Sequence, residues 1–296
     1  MAKFYMGLML VTSLLWGGNF VVAKTLVAHA SPMTLTMARW LIAVIVLLPL
    51  VWWKEKKLIP AKAALVPLFL MGITGVALFN LFQFLALERT TSTNAGLIST
   101  MNTMSIALFS FAFLKEKING LQLLVMVLSL IGVVLVLSKG DWQLLWNVQL
   151  NTGDLWMVAA VCVWGLYSVC SRWAMQTTSP LMATLYAGLF GVLILVPFTI
   201  SNFTFSEIDS TFILSLLYTG VISTVVCMVF WNIGVQQLGA TTSGIFLNFN
   251  PIFTALLAFL FIGEQLSWLQ GIGGITVIMG CYLFTHFKSK TPQAVL

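Results

Sequence analysis

Residues 15–32, LWGGNFVVAKTLVAHASP, recur in outline at 163–180, VWGLYSVCSRWAMQTTSP. Trp16-Gly17 falls on Trp164-Gly165, Lys24 on Arg172 and Ser31-Pro32 on Ser179-Pro180, all at a shift of 148 residues. The same shift carries Pro49 to Pro197, Gly72 to Gly220, Thr93 to Thr241, Gly96 to Gly244 and Asn102 to Asn250. Farther on it carries Glu116 to Glu264, Leu121-Gln122 to Leu269-Gln270 and Gly132 to Gly280. Single matches between apolar segments are cheap, but a fixed register that also aligns Trp, Pro, Asn, Glu and Gln is not. The chain therefore reads as two copies of one unit. The first is expected over 1–140, a connecting loop over 141–152, the second copy over 153–290 and a short tail over 291–296.

The solvent around these copies follows from composition. Hydrophobic residues make up 60% of the 296 and charged residues only 7%, where a soluble globular chain carries roughly 25%. So few charges cannot cover a core in water, and lipid is the expected outer solvent. A helix needs roughly 20 apolar residues to cross a bilayer core. Segments of that length run over 4–28, 32–53, 63–87, 91–114, 119–138, 153–175, 180–201, 210–236, 241–262 and 267–287. Ser31-Pro32 and Ser179-Pro180 have the form of an N-cap followed by proline at the first helical position. The first segment shows no small-residue cleavage site and reads as an uncleaved helix rather than a signal peptide. The four cysteines, at 162, 170, 227 and 281, sit in apolar runs without metal-ligand or CxxC spacing, as packing residues do.

Cytoplasmic loops retain Lys and Arg. With the N-terminus inside, that face holds Lys3, Lys54, Lys56, Lys57, Lys62, Lys115, Lys117, Arg172, Lys288 and Lys290, while the other holds Arg89 and Lys139. Both termini are thus expected in the cytoplasm and the chain in a plasma (inner) membrane. Five spans is an odd number, so the second copy must enter from the opposite face. The fold class is an all-α membrane protein of ten transmembrane helices in a 5+5 inverted-topology repeat. That architecture is one of secondary transporters, because each half can adopt the conformation of the other and open the protein alternately to either side.

At Leu15-Trp16-Gly17-Gly18-Asn19-Phe20, Phe113-Leu114-Lys115-Glu116-Lys117-Ile118, Trp164-Gly165 and Phe261-Ile262-Gly263-Glu264-Gln265-Leu266, the sequence resembles the EamA-type ten-helix branch of the drug/metabolite transporter superfamily. The resemblance runs from about residue 5 to 287. It implies a central cavity between the halves and export of amino acids, metabolites or toxic compounds. Lys115 departs from it, standing where the family has the glycine seen at Gly263.

Polar groups inside a span cost free energy unless they pair or face a water-filled cavity. Candidate cavity residues are accordingly Asn19, Asn80, Gln83, Asn102, Trp164, Tyr167, Trp231, Asn232, Asn248 and Asn250. Asn80 and Gln83 are three apart and share a face, whereas 248 and 250 are about 200° apart on an ideal helix, so one of that pair faces the cavity unless Pro251 distorts the backbone. Amides beside Trp, Tyr and Met walls suit a small amphipathic, aromatic or amino-acid-like solute better than a bare ion. The alternative for each amide is a tie between helices. Lys24 and Arg39 are candidates for a gate or for attracting a substrate carboxylate, against simple snorkelling to headgroups. Glu116 and Glu264 are expected to cap the following helix or to make loop contacts.

No GxxxxGK[ST] phosphate loop is present, and no carboxylate lies at mid-membrane. The expected partners are a small-molecule solute and the lipid bilayer, with protons or a counter-substrate as coupling candidates, no nucleic acid and no cofactor or metal. Monomer and homodimer both remain open. The rival readings are a membrane scaffold or sensor, which would need an appended receiving domain, and a lipid-modifying enzyme. The enzyme would need a catalytic constellation that His29 and His286, on opposite faces, do not make.

Overall fold

The computed structural model describes residues 2–90, 92–138, 151–262 and 267–287. Most of the connecting loop, Glu264 with its neighbours Gly263, Gln265 and Leu266, and the tail 291–296 lie outside them. Among the described residues nine helical stretches are long and apolar enough to cross a membrane. In chain order the spans are α1 (Ala2–Leu26), α2 (Pro32–Glu55), α3 (Lys62–Arg89), α4 (Ser92–Ser99, then Asn102–Leu114) and α5 (Gly120–Ser138). The second set is α6 (Thr152–Ala174), α7 (Pro180–Thr199), α8 (Ser210–Leu238), α9 and α10 (Trp268–His286). The tenth span, α9, runs through three consecutive pieces, Ala240–Gly244, Ile245–Phe249 and Asn250–Ile262. Outward surfaces expose Phe111, Leu124, Ile131, Leu193, Leu214 and Ile275, side chains that lipid rather than water would cover.

The helix starts follow the sequence logic. Ser31 accepts from the Thr34 N–H at 3.2 Å and Ser179 from the Met182 N–H at 3.1 Å, each with proline next in line. The repeated Leu-Gln pair has a local cause. Gln122 Oε1 accepts from Asn119 N while Asn119 Oδ1 accepts from Gln122 N, a reciprocal capping box at the start of α5. Ser267 and Gln270 repeat it at α10. Lys115, the departure from glycine, closes α4 with a left-handed backbone at φ 54°. Glycine takes that conformation without steric penalty, and lysine pays roughly 1 kcal/mol for it.

The inverted repeat is visible atom by atom where helices touch. Gly72 on α3 meets Ala187 O and Phe190 on α7, and its counterpart Gly220 on α8 meets Arg39 O and Ile42 on α2. Gly132 lies against Gly273 O, and Gly280 against Val125 O, so α5 and α10 pair through the same contacts read in both directions. A Cβ at Gly165 would fall 2.3 Å from Ser105 Oγ, and one at Gly17 would fall 3.2 Å from Phe253 Cβ, the equivalent position on α9.

Five spans are interrupted near mid-length. The α1 helix breaks at Gly18, α3 winds as a π-helix over Gly72–Leu78, and α8 does so over Tyr218–Val226. In α4 a turn occupies Thr100 and Met101, and at the equivalent place α9 tightens to a 3-10 helix over Ile245–Phe249. Pro251 explains the last: without an N–H it leaves the carbonyl four residues back without an α-helical partner. Interrupted helices at mid-membrane are tolerated where they line a cavity.

Candidate functional site

The interruptions converge on one cavity of about 540 Å³, its open mouth included. Each of the five interrupted helices contributes to its wall: Trp16 and Asn19 from α1, Gly75, Phe79, Asn80 and Gln83 from α3, Ser99 and Asn102 from α4, Met228 from α8, Leu247 and Asn250 from α9. Arg39, Trp40 and Trp164 complete it. Several wall residues are repeat partners, among them Trp16 with Trp164, Asn102 with Asn250, Asn80 with Met228 and Ser99 with Leu247. The axis relating the two copies therefore runs through the cavity.

Aromatic rings form its floor. Trp164 stands at a ring-centroid distance of 5.6 Å and near-perpendicular to Trp16, 4.7 Å from Phe79 and 4.9 Å from Tyr167. Trp231 lies behind both tryptophans, fully buried, 5.8 Å from Trp16 and 5.5 Å from Trp164. Its counterpart in the first copy is Gln83, which lines the wall.

The wall is also where hydrogen bonding is left undone. Six buried atoms of its side chains have no partner: the amide oxygens of Asn19, Gln83, Asn102 and Asn250, and the indole nitrogens of Trp40 and Trp164. Each such group costs about 1–3 kcal/mol, so a cluster of six marks a place where something other than stability is served. The Trp164 case has a visible origin. Trp16 Nε1 donates to Ser223 O at 2.9 Å, and the equivalent acceptor for Trp164 is Gly75 O. Asn80 Nδ2 already donates to that carbonyl, and to Val76 O, both at 2.9 Å. The second copy has Met228 in place of Asn80, which leaves the Ser223 carbonyl to Trp16.

Arg39 reaches the wall from α2 and is 5% exposed. Its Nε donates to Thr224 Oγ1 at 2.5 Å, Nη2 to Ser223 Oγ at 2.9 Å and Nη1 to Asn80 Oδ1 at 3.0 Å. All three partners are neutral, and they come from α8 and α3, one helix in each copy.

Of the residues expected in the cavity, the structure brings together Asn19, Asn80, Gln83, Asn102, Trp164, Asn250 and Arg39. Tyr167, Trp231, Asn232, Asn248 and Lys24 stand outside its wall, and the reason is that neighbouring protein groups satisfy or cover them. Asn232 Oδ1 accepts from Tyr167 Oη at 3.0 Å and Ser171 Oγ at 2.8 Å, while its Nδ2 donates to Thr184 Oγ1 at 2.9 Å. Asn248 accepts from Thr103 at 2.8 Å and donates to Ser129 at 2.9 Å, so Asn250 is the member of that pair at the wall. Lys24 Nζ donates to the carbonyls of Leu87 and Thr90 at the end of α3. Arg172 does the same at the end of α8, to Val235 O at 3.0 Å and Gln236 O at 2.5 Å. Both cations complement a helix C-terminus in their own copy. Glu116 accepts from the Thr241 hydroxyl at 2.6 Å and backbone N–H at 3.3 Å, so it caps α9 rather than the helix that follows it. The wall residues absent from the candidates are Trp16, Trp40, Gly75, Phe79, Ser99, Met228 and Leu247; the repeat relation of Trp16 to Trp164 and of Met228 to Asn80 was the available signal for two of them.

Comparison with known proteins agrees with this architecture. The model of the EamA-like transporter family matches residues 3–138 and again 151–286. A protein of Archaeoglobus fulgidus named an uncharacterized transporter is 29% identical over 94% of this chain and 96% of its own length. The transporter YetK of Bacillus subtilis, also named uncharacterized, is 29% identical over 94% and 85%. A Chlamydia trachomatis protein named an S-adenosylmethionine/S-adenosylhomocysteine transporter is 25% identical over 94% and 88%. One solved crystal structure superposes with a TM-score of 0.77 over 98% of this chain and all of its own, at 18% identity, a likeness of fold alone. With a family model matched once on each repeat, the chain belongs to the EamA-like transporter family and is a multi-pass membrane transporter.

Proposed function

We propose that the chain is a secondary transporter that exports a small organic solute, amino-acid-like, aromatic or amphipathic, across the plasma membrane by alternating access. The observation that carries this is the six unpartnered polar atoms at the point where the interrupted helices of both copies meet. The aromatic floor and amide rim suit a solute with one apolar and one polar end. A relative named for S-adenosylmethionine and S-adenosylhomocysteine, solutes of that kind, supports the class. The excess of Lys and Arg on the face where the chain begins supports cytoplasmic termini.

Between the cavity and that basic face the copies are tied together. Ser13 Oγ donates to Phe246 O at 2.7 Å, Thr103 Oγ1 to Gly244 O at 3.0 Å, and Glu116 holds Thr241. In an alternating cycle these ties open when the solute passes to the other side. Energy comes from a solute, proton or counter-substrate gradient.

The test uses purified protein in liposomes, with phenylalanine, methionine and S-adenosylmethionine as solutes, with and without a pH gradient. Time-dependent movement without ATP is the expected result, and a strict ATP requirement overturns the mechanism. Sidedness is read in intact cells with the Lys3→Cys variant and an impermeant maleimide. Labelling only after permeabilisation is expected; labelling of intact cells would end the N-in assignment.

A further inference from the structure

We propose that Arg39 is a carboxylate-binding subsite, and that the solute is a zwitterion whose cationic or N–H-bearing end faces the unpartnered amide oxygens of the wall. This rests on the transport reading and sharpens it to a substrate class.

Charge is the first ground. The guanidinium is the only formally charged group among the described residues of the wall, which contains neither Asp nor Glu. Taking an ion out of water costs several kcal/mol even after relaxation, and here the neutral hydroxyls of Ser223 and Thr224 and the amide of Asn80 solvate it without neutralising it. A solute bringing one negative charge completes the balance. A dianion such as a phosphate monoester would overshoot it, since the wall carries one positive charge.

Geometry is the second ground. A guanidinium carries five N–H donors, and the three hydrogen bonds to Thr224, Asn80 and Ser223 leave one on each terminal nitrogen. Two donors on adjacent nitrogens match the two oxygens of a carboxylate. Ser223 bridges Arg39 to the floor, since its carbonyl holds the Trp16 indole. A carboxylate on Arg39 therefore places the rest of the solute over the Trp16–Trp164 pair. The oxygens of Asn19, Gln83, Asn102 and Asn250 lack donors, which an ammonium or amine supplies, and indole faces attract a neighbouring cation. Arg39 has no basic counterpart, since the equivalent residue in the second copy is Ala187. The solute is thus bound in one polarity by a nearly symmetric cavity.

The experiment compares acids with their carboxamides on the purified full chain. Phenylalanine, methionine and S-adenosylhomocysteine are each titrated beside the matching carboxamide, with thermal stabilisation and tryptophan fluorescence as readouts. The wild type is expected to bind at least one acid more tightly than its amide by about tenfold or more, the scale of a hydrogen bond to a charged group. In Arg39→Gln that preference vanishes and acid and amide bind alike; in Arg39→Lys, charged but without the fork, the preference falls between. The acid-against-amide comparison on the wild type needs no variant, so a poorly folding substitution does not blunt the test. Equal affinity for acid and amide, an acid preference that survives in Arg39→Gln, or no binding of any acid each overturns the subsite. With equal affinity or a surviving preference, solute movement in the liposome assay still stands; with no acid bound, movement of the matching carboxamides in that assay keeps the transport reading, so failure of this inference is separated from failure of that reading.

Discussion

Trp231→Ala is expected to destabilise the protein by about 3–5 kcal/mol, the cost of emptying a large aromatic site. Trp231 is fully buried and packs on Trp16 and Trp164 from behind the cavity. Its indole nitrogen has no partner, so the loss is one of packing and not of a hydrogen bond. The equivalent position in the first copy, Gln83, is part of the cavity wall. Trp231 is thus what closes the second copy where the first is open, and its removal extends the cavity toward the basic face. Detergent-solubilised variant should melt several degrees below wild type, and Trp231→Phe, which keeps most of the ring volume, should lose less than half as much. Melting of the alanine variant within a degree of wild type would show that the floor does not depend on this ring.

The fold was legible because the repeat shift and the helix signals reinforce each other. A constant offset that aligns Ser-Pro, Trp-Gly and Leu-Gln could be read before any helix was placed, and each of those pairs has a local job in the structure: a cap, a close approach, a capping box. The cavity was legible only by half. Asn102 and Asn248 look alike in the sequence, a lone amide in an apolar span, yet one has an unpaired oxygen at the cavity and the other is satisfied by Thr103 and Ser129. Nothing local distinguishes them, because the partner sits on another helix. Lys24 and Arg39 differ in one readable respect. Lys24 lies near the end of α1 and finds the carbonyl end of α3, whereas Arg39 lies seven residues inside α2 and finds only neutral groups. Depth along the span was the usable signal there. The π-helices of α3 and α8 were not legible, since they depend on carbonyls claimed from outside the ladder, as Asn80 claims Gly75 O and Thr224 claims Thr219 O.

Asn102→Ala and Asn250→Ala are expected to separate function from stability. Both residues sit at the same position of the two copies, each at the start of a helix that resumes after an interruption. Their amide oxygens are buried without a partner, so alanine removes an unmet desolvation cost, and melting temperature should hold steady or rise. Transport should nevertheless fall by about tenfold or more in each, the consequence of losing one polar contact worth about 1.4 kcal/mol to a bound solute. Asn232→Ala and Asn248→Ala should behave the other way: the first strands the hydroxyls of Tyr167 and Ser171, the second takes the partner of Ser129, and both should melt lower. Initial rates in liposomes and melting curves on the same four preparations make the comparison. Loss of stability in the Asn102 and Asn250 variants would mean that these amides tie helices after all, and full transport by the double variant would remove the cavity wall from the solute's path. The contrast matters because an inverted repeat alone accounts for a stable bundle, whereas polar groups whose removal improves folding and abolishes movement are accounted for only by a solute.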